Sequence, residues 1–410
     1  LIGNITSNSN NGATLWTPIA PPRIMGGTLD LGNVARNIDT GGDQSQIPYE
    51  LEISANLIGT QGLIMNLTAN NTGTLLLSGD NSGLSGDIYR VNGNLAIGSD
   101  TAFGTGRLLI NGGHLTTYGG KRTIANRVDM VGTIAFVAGN GVASSGTIGG
   151  GGNDLTFTGP VNLIAGTTTI VVASAAQVDF AGGVGETYGQ GTLNKNGYGT
   201  LILSSFGSYS GGTTINTNGG AFILRDQGTS PNNNFNVNIG GTLQIDNRYG
   251  ANLTNRLGDT AQIQLTGGTL SLIAATGGIT TEAAGRLLAS NDTNSQVQLI
   301  ASSLAGTNAT WRFTDYARQG TNGNMLTFVA RGTDIGAATG NKLLFNAAPG
   351  LTNSIIPSAV LINSTGPEFV STRNPLTAAV DPYFNALEPY TAVTAPLIGG
   401  LGTFATTFTG

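Results

Sequence analysis

Histidine and cysteine, which often serve nucleophilic and metal chemistry, are almost absent from this sequence. His114 is the one histidine, and there is no cysteine. A two-histidine metal site and a disulfide are therefore impossible, and a catalytic triad built on His114 would need partners that no motif supplies. His114 occupies the threonine position of a recurring Gly-Gly-Thr-Leu pattern, which predicts an exposed strand residue.

Glu50 and Glu52 form the clearest pair of carboxylates. Their spacing of two residues places both on one side of a strand. Paired carboxylates about 5–9 Å apart can hydrolyse glycosidic bonds. Because Leu51 and Ile53 take the apolar side of the same run, we interpret the pair as a solvated strand face. A polysaccharide-cleaving enzyme that uses Glu50 and Glu52, or acids on neighbouring turns, stays open as an alternative.

The run Gly149-Gly150-Gly151-Gly152-Asn153-Asp154 resembles the start of a calcium-binding nonapeptide. Thr156 falls in the apolar position of that motif, and no second copy follows to share ligands. We therefore interpret the run as a plain turn, and the sequence predicts no metal and no cofactor.

Aromatic residues are scattered, but two groups stand close enough to act together. Trp311-Arg312-Phe313 and Tyr383-Phe384 are candidate platforms for stacking sugar rings. Packing in the core or at a sheet edge is the alternative that we favour, because aromatic side chains bury large areas.

Composition excludes several classes of protein. Only 10% of the residues are charged and the formal net charge is −5, so there is no basic stripe for nucleic acid. No apolar run approaches the roughly 18 residues that span a bilayer, so no membrane insertion is predicted. A disordered chain would carry more charge and fewer apolar residues than this one, in which 39% are hydrophobic.

A glycine turn followed by a short alternating strand recurs along the chain. Glycine adopts the backbone angles of a tight corner, and the next residues point to alternate sides. Such a unit buries too little to fold alone and must stack on copies of itself. The turns are Gly26-Gly27, Gly73, Gly112-Gly113, Gly199, Gly219-Gly220, Gly240-Gly241 and Gly267-Gly268, with Gly211-Gly212 as a further corner.

These repeats predict an all-β fold, a right-handed parallel β-helix with about 20–28 residues per turn. We expect the β-solenoid to occupy residues 1–339, most regularly over 191–273. Prolines are concentrated after residue 348, which predicts a less regular unit or cap over residues 340–410. The best helical candidate is the run around Leu287-Leu288-Ala289.

One stretch resembles the autotransporter-associated β-strand repeat of bacterial surface proteins. It reads Gly199-Thr200-Leu201-Ile202-Leu203-Ser204 and then Tyr209-Ser210-Gly211-Gly212-Thr213-Thr214-Ile215-Asn216, after the lead-in Leu193-Asn194-Lys195-Asn196-Gly197-Tyr198. A second copy begins at Gly73. The resemblance implies a β-solenoid carried outside a bacterial cell, in which Leu1 and Gly410 are internal cuts or processing points. It implies no particular activity.

The resulting expectation is a non-enzymatic structural protein, extracellular or at the bacterial cell surface. A stiff rod would serve as stalk, fibre or matrix component and associate end to end through unpaired strand edges at its termini. Its partner would be itself or further repeats. The alternative is an adhesin that binds glycans or a host surface, through a Thr/Asn-rich face or through residues 340–410.

Overall fold

A computed structural model describes residues 3–9, 21–42, 49–65, 73–90, 93–137, 154–231, 234–290, 293–304, 306–320, 325–336, 339–352, 356–373 and 385–389. These residues form strands and no helix. The strands are β1 (Ile5–Ser9), β2 (Arg23–Ile24), β3 (Thr28–Asp30), β4 (Arg36–Gly42), β5 (Leu51–Ile53), β6 (Asn56–Ile58), β7 (Leu63–Met65), β8 (Thr74–Leu77), β9 (Ile88–Arg90), β10 (Asn94–Ile97), β11 (Leu108–Thr117), β12 (Arg122–Ile124), β13 (Val128–Phe136), β14 (Asp154–Phe157), β15 (Val161–Val172), β16 (Gln177–Phe180), β17 (Val184–Asn196), β18 (Thr200–Leu203), β19 (Thr213–Ile215), β20 (Gly220–Arg225), β21 (Phe235–Asn238), β22 (Gly241–Asp246), β23 (Ile263–Thr266), β24 (Thr269–Ile273), β25 (Ile279–Ser290), β26 (Ser295–Ile300), β27 (Asn308–Gln319), β28 (Leu326–Arg331), β29 (Lys342–Phe345), β30 (Ala359–Asn363), β31 (Gly366–Arg373) and β32 (Asn385–Pro389).

The strands stack in parallel, each on the strand one turn earlier. In the middle of the chain, Leu201 of β18 lies opposite Val178 of β16 on one side and Phe222 of β20 on the other. Repeated parallel pairing of this kind is the arrangement of a β-solenoid. The all-β class and the parallel stack agree with the sequence, while the right-handed winding stays a prediction.

Each turn of the stack has three faces. In one turn, residues 184–187 form face 1, residues 191–196 form face 2 and Thr200–Leu203 form face 3. The long strand β17 supplies both of the first two faces, because it bends at the corner between them. The strand pairs along β15 and β17 shift register at this corner, between Ile164 and Gly166.

Turn length varies more than the sequence predicts. Leu108 lies opposite Ile88, 20 residues earlier, and Phe328 lies opposite Leu361, 33 residues later. The longest turns exceed the predicted 28 residues because loops extend at the corners. Residues 247–256, for example, join face 3 to face 1 where other turns need only a few residues.

The core is a stack of apolar side chains that repeat in register inside the solenoid. On face 3 the column Leu201, Phe222, Leu243 and Leu270 is at most 1% exposed. Burying one such side chain contributes about 1.5–3 kcal/mol relative to leaving it in water. Ring contacts extend the stack, as in Phe136–Phe157–Phe180.

The best helical candidate of the sequence, the run around Leu287, is a strand. Leu287, Leu288 and Ala289 lie in β25, whose pairing with β27 alternates inward and outward side chains. Leu287 and Ala289 point inward and are buried. Stacking on two neighbouring turns overrides a short local helical preference. Among the described residues, none belongs to a helix long and apolar enough to cross a membrane.

The C-terminal described strands change from parallel to antiparallel pairing. β31 pairs with β30, β32 pairs with β31, and β32 also pairs with β29. This hairpin covers the outer edges of β29 and β30, the last strands of the parallel stack. The open edge that we expected at this end is therefore absent at β29 and β30. The boundary between repeats and cap at residue 340 stays a prediction.

Candidate functional site

The two carboxylates of the candidate hydrolytic pair have different surroundings in the structure, and each is engaged by the protein. Glu50 is buried, and one of its carboxylate oxygens accepts a hydrogen bond from the amide of Thr74. Glu52 is held by Arg23, whose Nε lies 2.9 Å from Oε2, and by hydrogen bonds from Tyr49 and Ser78. The solvated face that we expected is thus wrong for Glu50, because neighbouring turns enclose it.

His114 is not the exposed strand residue that the sequence predicts. It lies in β11 and is partly buried. Burial, and then the charge of Arg90, lower the pKa of His114. The imidazole therefore lies beside a buried cation.

The remaining sequence candidates lie in the core or outside the described residues. Trp311 and Phe313 are buried and stack on each other with ring centroids 5.3 Å apart, so they form no sugar platform. Arg312, between them, is partly exposed. Residues 149–153 of the calcium-like motif and Tyr383-Phe384 lie outside the described residues, while Asp154 pairs with Lys121. No group of three or more acidic or histidine side chains that could hold a metal occurs in the described ranges.

Glycine is required at the paired positions of the repeat for two different physical reasons. The first glycine has a positive φ, +72° at Gly240 and +78° at Gly267. The second has no room for a side chain, since a Cβ at Gly268 would lie 2.5 Å from the Val237 carbonyl oxygen of the preceding turn. The order differs at other corners. Gly211 is crowded and Gly212 has the positive φ, whereas both glycines have a positive φ at Gly26-Gly27 and at Gly112-Gly113. Crowding without a positive φ also occurs at Gly73, Gly199 and Gly241.

Buried cations hold several corners together from inside. Lys195 is completely buried, and its Nζ donates to the carbonyl oxygens of Asn196, Gly197 and Gly219 at 2.7–2.9 Å. Gly219 belongs to the next turn, so the ammonium joins two consecutive corners. Burial lowers the pKa of Lys195 to about 7.

Arg90 and Arg256 play the same part at other corners. The Arg90 guanidinium donates to the carbonyl oxygens of Gly93, Gly112 and His114, and burial lowers its pKa to about 9. Arg256 donates to carbonyl oxygens of two turns, including Gly228 at 2.6 Å. These donors satisfy carbonyl groups that would otherwise be buried without partners.

A buried carboxylate completes the corner at Arg256. Glu282 of the following turn accepts hydrogen bonds from the amides of Arg256 and Leu257, at 3.0 and 2.9 Å. Burial raises the pKa of Glu282 to about 7, against the lowering effect of those amides and of the Arg256 charge. The burial of Glu282 was not predicted, because two polar residues precede it in the sequence.

The outer side of face 1 carries ion pairs. Arg107 contacts Asp87 at 3.0 Å and Asp129 at 3.1 Å, and Arg127 also contacts Asp129. These residues belong to successive turns, so charge runs along this face. A row of charged side chains of this kind attracts ions and water. Face 1 differs in this respect from face 2.

The outer side of face 2 has no ionisable side chain from β15 to β23 among the described residues. Its side chains alternate with buried ones and carry hydroxyl or amide groups, apart from one valine. In register, Thr169 lies opposite Asn194, Asn194 opposite Thr214, and Thr214 opposite Asn236. We call this surface the neutral face; it comprises Thr167, Thr169, Val171, Thr192, Asn194, Asn196, Thr214, Asn216, Asn236, Asn238, Gln264 and Thr266.

Two exposed tyrosines stand at opposite ends of one strand of the neutral face. Tyr188 precedes residues 191–196 and is 82% exposed; Tyr198 follows them and is 66% exposed. Tyr188 also has a φ of +65°, in the left-handed region that bulky side chains avoid.

Both tyrosine corners are fixed by hydrogen bonds. Glu186 accepts from the amides of Gly191 and Ser210, at 2.8 and 2.9 Å, and from the Ser210 hydroxyl, which closes the loop that carries Tyr188. Burial raises the pKa of Glu186, but these hydrogen bonds outweigh it and leave the pKa below its ordinary value. Lys195 holds the corner at Tyr198 through the carbonyl groups of Asn196 and Gly197.

Comparison with known proteins adds one finding. The chain is 30% identical over 165 residues to the adhesin BmaC autotransporter of Brucella suis biovar 1 (strain 1330). The match covers 37% of this chain and 4% of the adhesin. No family model matches, and no solved structure matches. The likeness is consistent with an autotransporter-type repeat and suggests a cell-surface or extracellular location.

Sequence reasoning expected a Thr/Asn-rich face but did not locate it, and it missed the two exposed tyrosines. The signal was present in the alternation of Thr and Asn with apolar residues between Gly191 and Ile273. Only the register of successive turns shows that these side chains form one continuous surface.

Proposed function

We propose that this chain is a non-catalytic β-solenoid displayed outside a bacterial cell, where it attaches the cell to another surface. The observation that carries the proposal is the neutral face, a polar surface without ionisable groups that has exposed tyrosines at two of its corners. The two tyrosines lie at the two ends of one strand of a continuous polar surface, so they flank that surface instead of standing alone. The similar protein in Brucella suis is named an adhesin, which supports the same class of function.

The placement of Glu50 and Glu52 supports a role without catalysis. Glu52 is occupied by Arg23, Tyr49 and Ser78, and Glu50 is enclosed between turns. A hydrolytic pair needs two carboxyl groups that face one substrate-sized space. The stacked, hydrogen-bonded turns instead supply a stiff scaffold.

End-to-end assembly into filaments is not part of this proposal. The hairpin of β31 and β32 pairs with the edges of β29 and β30, so those edges are not available to another chain. The predicted self-association would need a different contact. In this proposal the solenoid is a stiff rod that serves as the scaffold of the adhesive surface.

A bead assay tests the proposed function. Latex beads coated with the folded chain should adhere to cultured epithelial cells or to bacterial surface matrix more than beads coated with the same mass of denatured chain. Equal adhesion of the two bead preparations on all surfaces would contradict the proposal.

A further inference from the structure

We propose that the neutral face binds an uncharged polysaccharide that lies along residues 191–196, with Tyr188 and Tyr198 stacked on its sugar rings. The inference rests on the proposed function and adds the ligand class and the residues that bind it.

The side chains of the neutral face suit a partner rich in hydroxyl groups. An Asn amide and a Thr hydroxyl each donate and accept hydrogen bonds, as sugar hydroxyls do. Asn194, Thr192 and Asn196 carry such groups on one strand. The Thr192 hydroxyl donates to the Gly211 carbonyl oxygen and the Asn196 amide oxygen accepts from Asn216, so these two offer a ligand their remaining donors and acceptors. The strands above and below add Thr169 and Thr214 in register with Asn194.

The absence of charge argues against other polymers. An anionic polysaccharide or nucleic acid would be bound by Lys or Arg, and the described part of this face presents none outward. The one lysine of the region, Lys195, points inward and donates to three carbonyl groups. A protein partner would need a buried apolar centre, and the described strands of this face present only Val171 outward, with Ile239 exposed directly after Asn238 at its edge.

Tyr188 is the sharpest indication that the surface is used. An 82% exposed aromatic ring gains little from burial, and a φ of +65° costs about 1–2 kcal/mol for a residue with a side chain. Local strain of this kind is concentrated at functional sites. Nothing in the packing of the solenoid requires a tyrosine there, whereas a sugar platform does.

The backbone of both corners is ordered before a ligand arrives. Glu186 fixes the loop of Tyr188 through the amides of Gly191 and Ser210. Lys195 fixes the corner of Tyr198 from inside the solenoid. A site that is already ordered loses less conformational entropy on binding. The spacing between the tyrosines is thus set by a hydrogen-bonded strand.

The test uses the purified whole chain and beads that carry dextran, mannan or xylan, with heparin beads as the anionic comparison. We expect retention on at least one neutral polysaccharide, with affinity nearly unchanged between about 0.05 and 0.5 M salt because no charges pair. The double variant Tyr188→Ala, Tyr198→Ala should weaken this binding about tenfold or more. The matched control is Tyr249→Ala, because Tyr249 is 59% exposed but lies in the loop between faces 3 and 1.

A second pair of variants keeps both tyrosines. Asn194→Asp places a charge in the centre of the neutral face and should weaken binding, whereas Thr242→Asp on the outer side of face 3 should not. Circular dichroism and the urea midpoint establish that each variant folds. If Asn194→Asp does not fold, the comparison of the double variant Tyr188→Ala, Tyr198→Ala with Tyr249→Ala decides the test.

The outcomes separate this inference from the proposed function. Retention on heparin alone, abolished by salt, would identify an anionic ligand and overturn the inference. Retention on no polysaccharide, or binding that the tyrosine variants leave unchanged, would also overturn it. Beads that still adhere to cells in that case would leave the adhesive function standing with a different ligand. Association of two chains through this face would appear as a dimer in light scattering. A dimer that the tyrosine variants abolish would overturn the inference, because the face would then bind a second copy of the chain.

Discussion

The ammonium nitrogen of Lys195 lies 2.7 Å from the carbonyl oxygen of Gly219, one turn further along the solenoid. This contact joins two corners through the interior, where neither group meets water. The same lysine stands in the Leu-Asn-Lys-Asn-Gly-Tyr run before the clearest repeat. The structure therefore gives a physical reason for a lysine at that position: it donates to carbonyl groups that the corners leave unpaired.

Replacing this lysine should destabilise the solenoid. Lys195→Met keeps the aliphatic stem but leaves three buried carbonyl groups without donors, which we expect to cost about 2–3 kcal/mol. The urea midpoint measures the change. Lys121→Met is the control, because Lys121 is 74% exposed and its ion pair with Asp154 contributes little. Equal midpoints for the two variants would contradict the role of Lys195.

The pH dependence of stability should reveal Glu282. Burial raises its pKa in the folded state to about 7, above the ordinary value of 4.5. Between pH 4.5 and 7 the folded state binds more protons than the unfolded state. The protonated Glu282 carboxyl group therefore contributes its full stabilisation below pH 4.5, and this contribution is lost as pH rises through 7. The full difference is about 3 kcal/mol. Urea midpoints from pH 4.5 to 6.5, below the range in which Lys195 loses its proton, should fall for the parent chain, and the fall should be absent in Glu282→Gln.

Glycine substitutions within one corner should separate crowding from backbone conformation. A Cβ at Gly211 would collide with the carbonyl oxygen of Gly191 one turn away, whereas Gly212 has a φ of +88° and more room. Gly211→Ala must push two turns apart, and we expect it to cost more than about 3 kcal/mol. Gly212→Ala should cost about 1 kcal/mol from the left-handed conformation alone. Thermal unfolding of both variants measures which substitution costs more stability. A larger loss for Gly212→Ala than for Gly211→Ala would contradict this explanation.

The architecture could be predicted from the sequence, but the arrangement of side chains on the surface could not. Gly240-Gly241 and Gly267-Gly268 with their alternating strands predict stacked turns, because corner glycines and a period of two leave few other folds. The burial of Glu50 and Glu282 was not predictable, because it depends on which residues of distant turns face each other. A Thr/Asn-rich face was expected, but its position was not predictable for the same reason, since Asn194 and Thr214 become neighbours only in the folded register.

Removal of the C-terminal hairpin should create an aggregating edge. Deletion of residues 366–410 would leave the outer edges of β29 and β30 unpaired, and open edges template the addition of further strands. We expect light scattering to rise with protein concentration for this variant. Deletion of residues 390–410 is the control, because it keeps β31 and β32 in place. Identical scattering of the two deletions would show that the hairpin does not protect the stack.

Substitution of Tyr188 should improve stability while it weakens binding. Asparagine tolerates the left-handed region better than other residues with side chains, so Tyr188→Asn should relieve strain and raise stability by about 0.5–1 kcal/mol. The same variant should lose retention on the neutral polysaccharide beads. Tyr198 has no positive φ, so Tyr198→Asn should reduce binding without a gain in the urea midpoint. A tyrosine kept only for the fold would give the opposite result, a loss of stability at Tyr188 with binding unchanged.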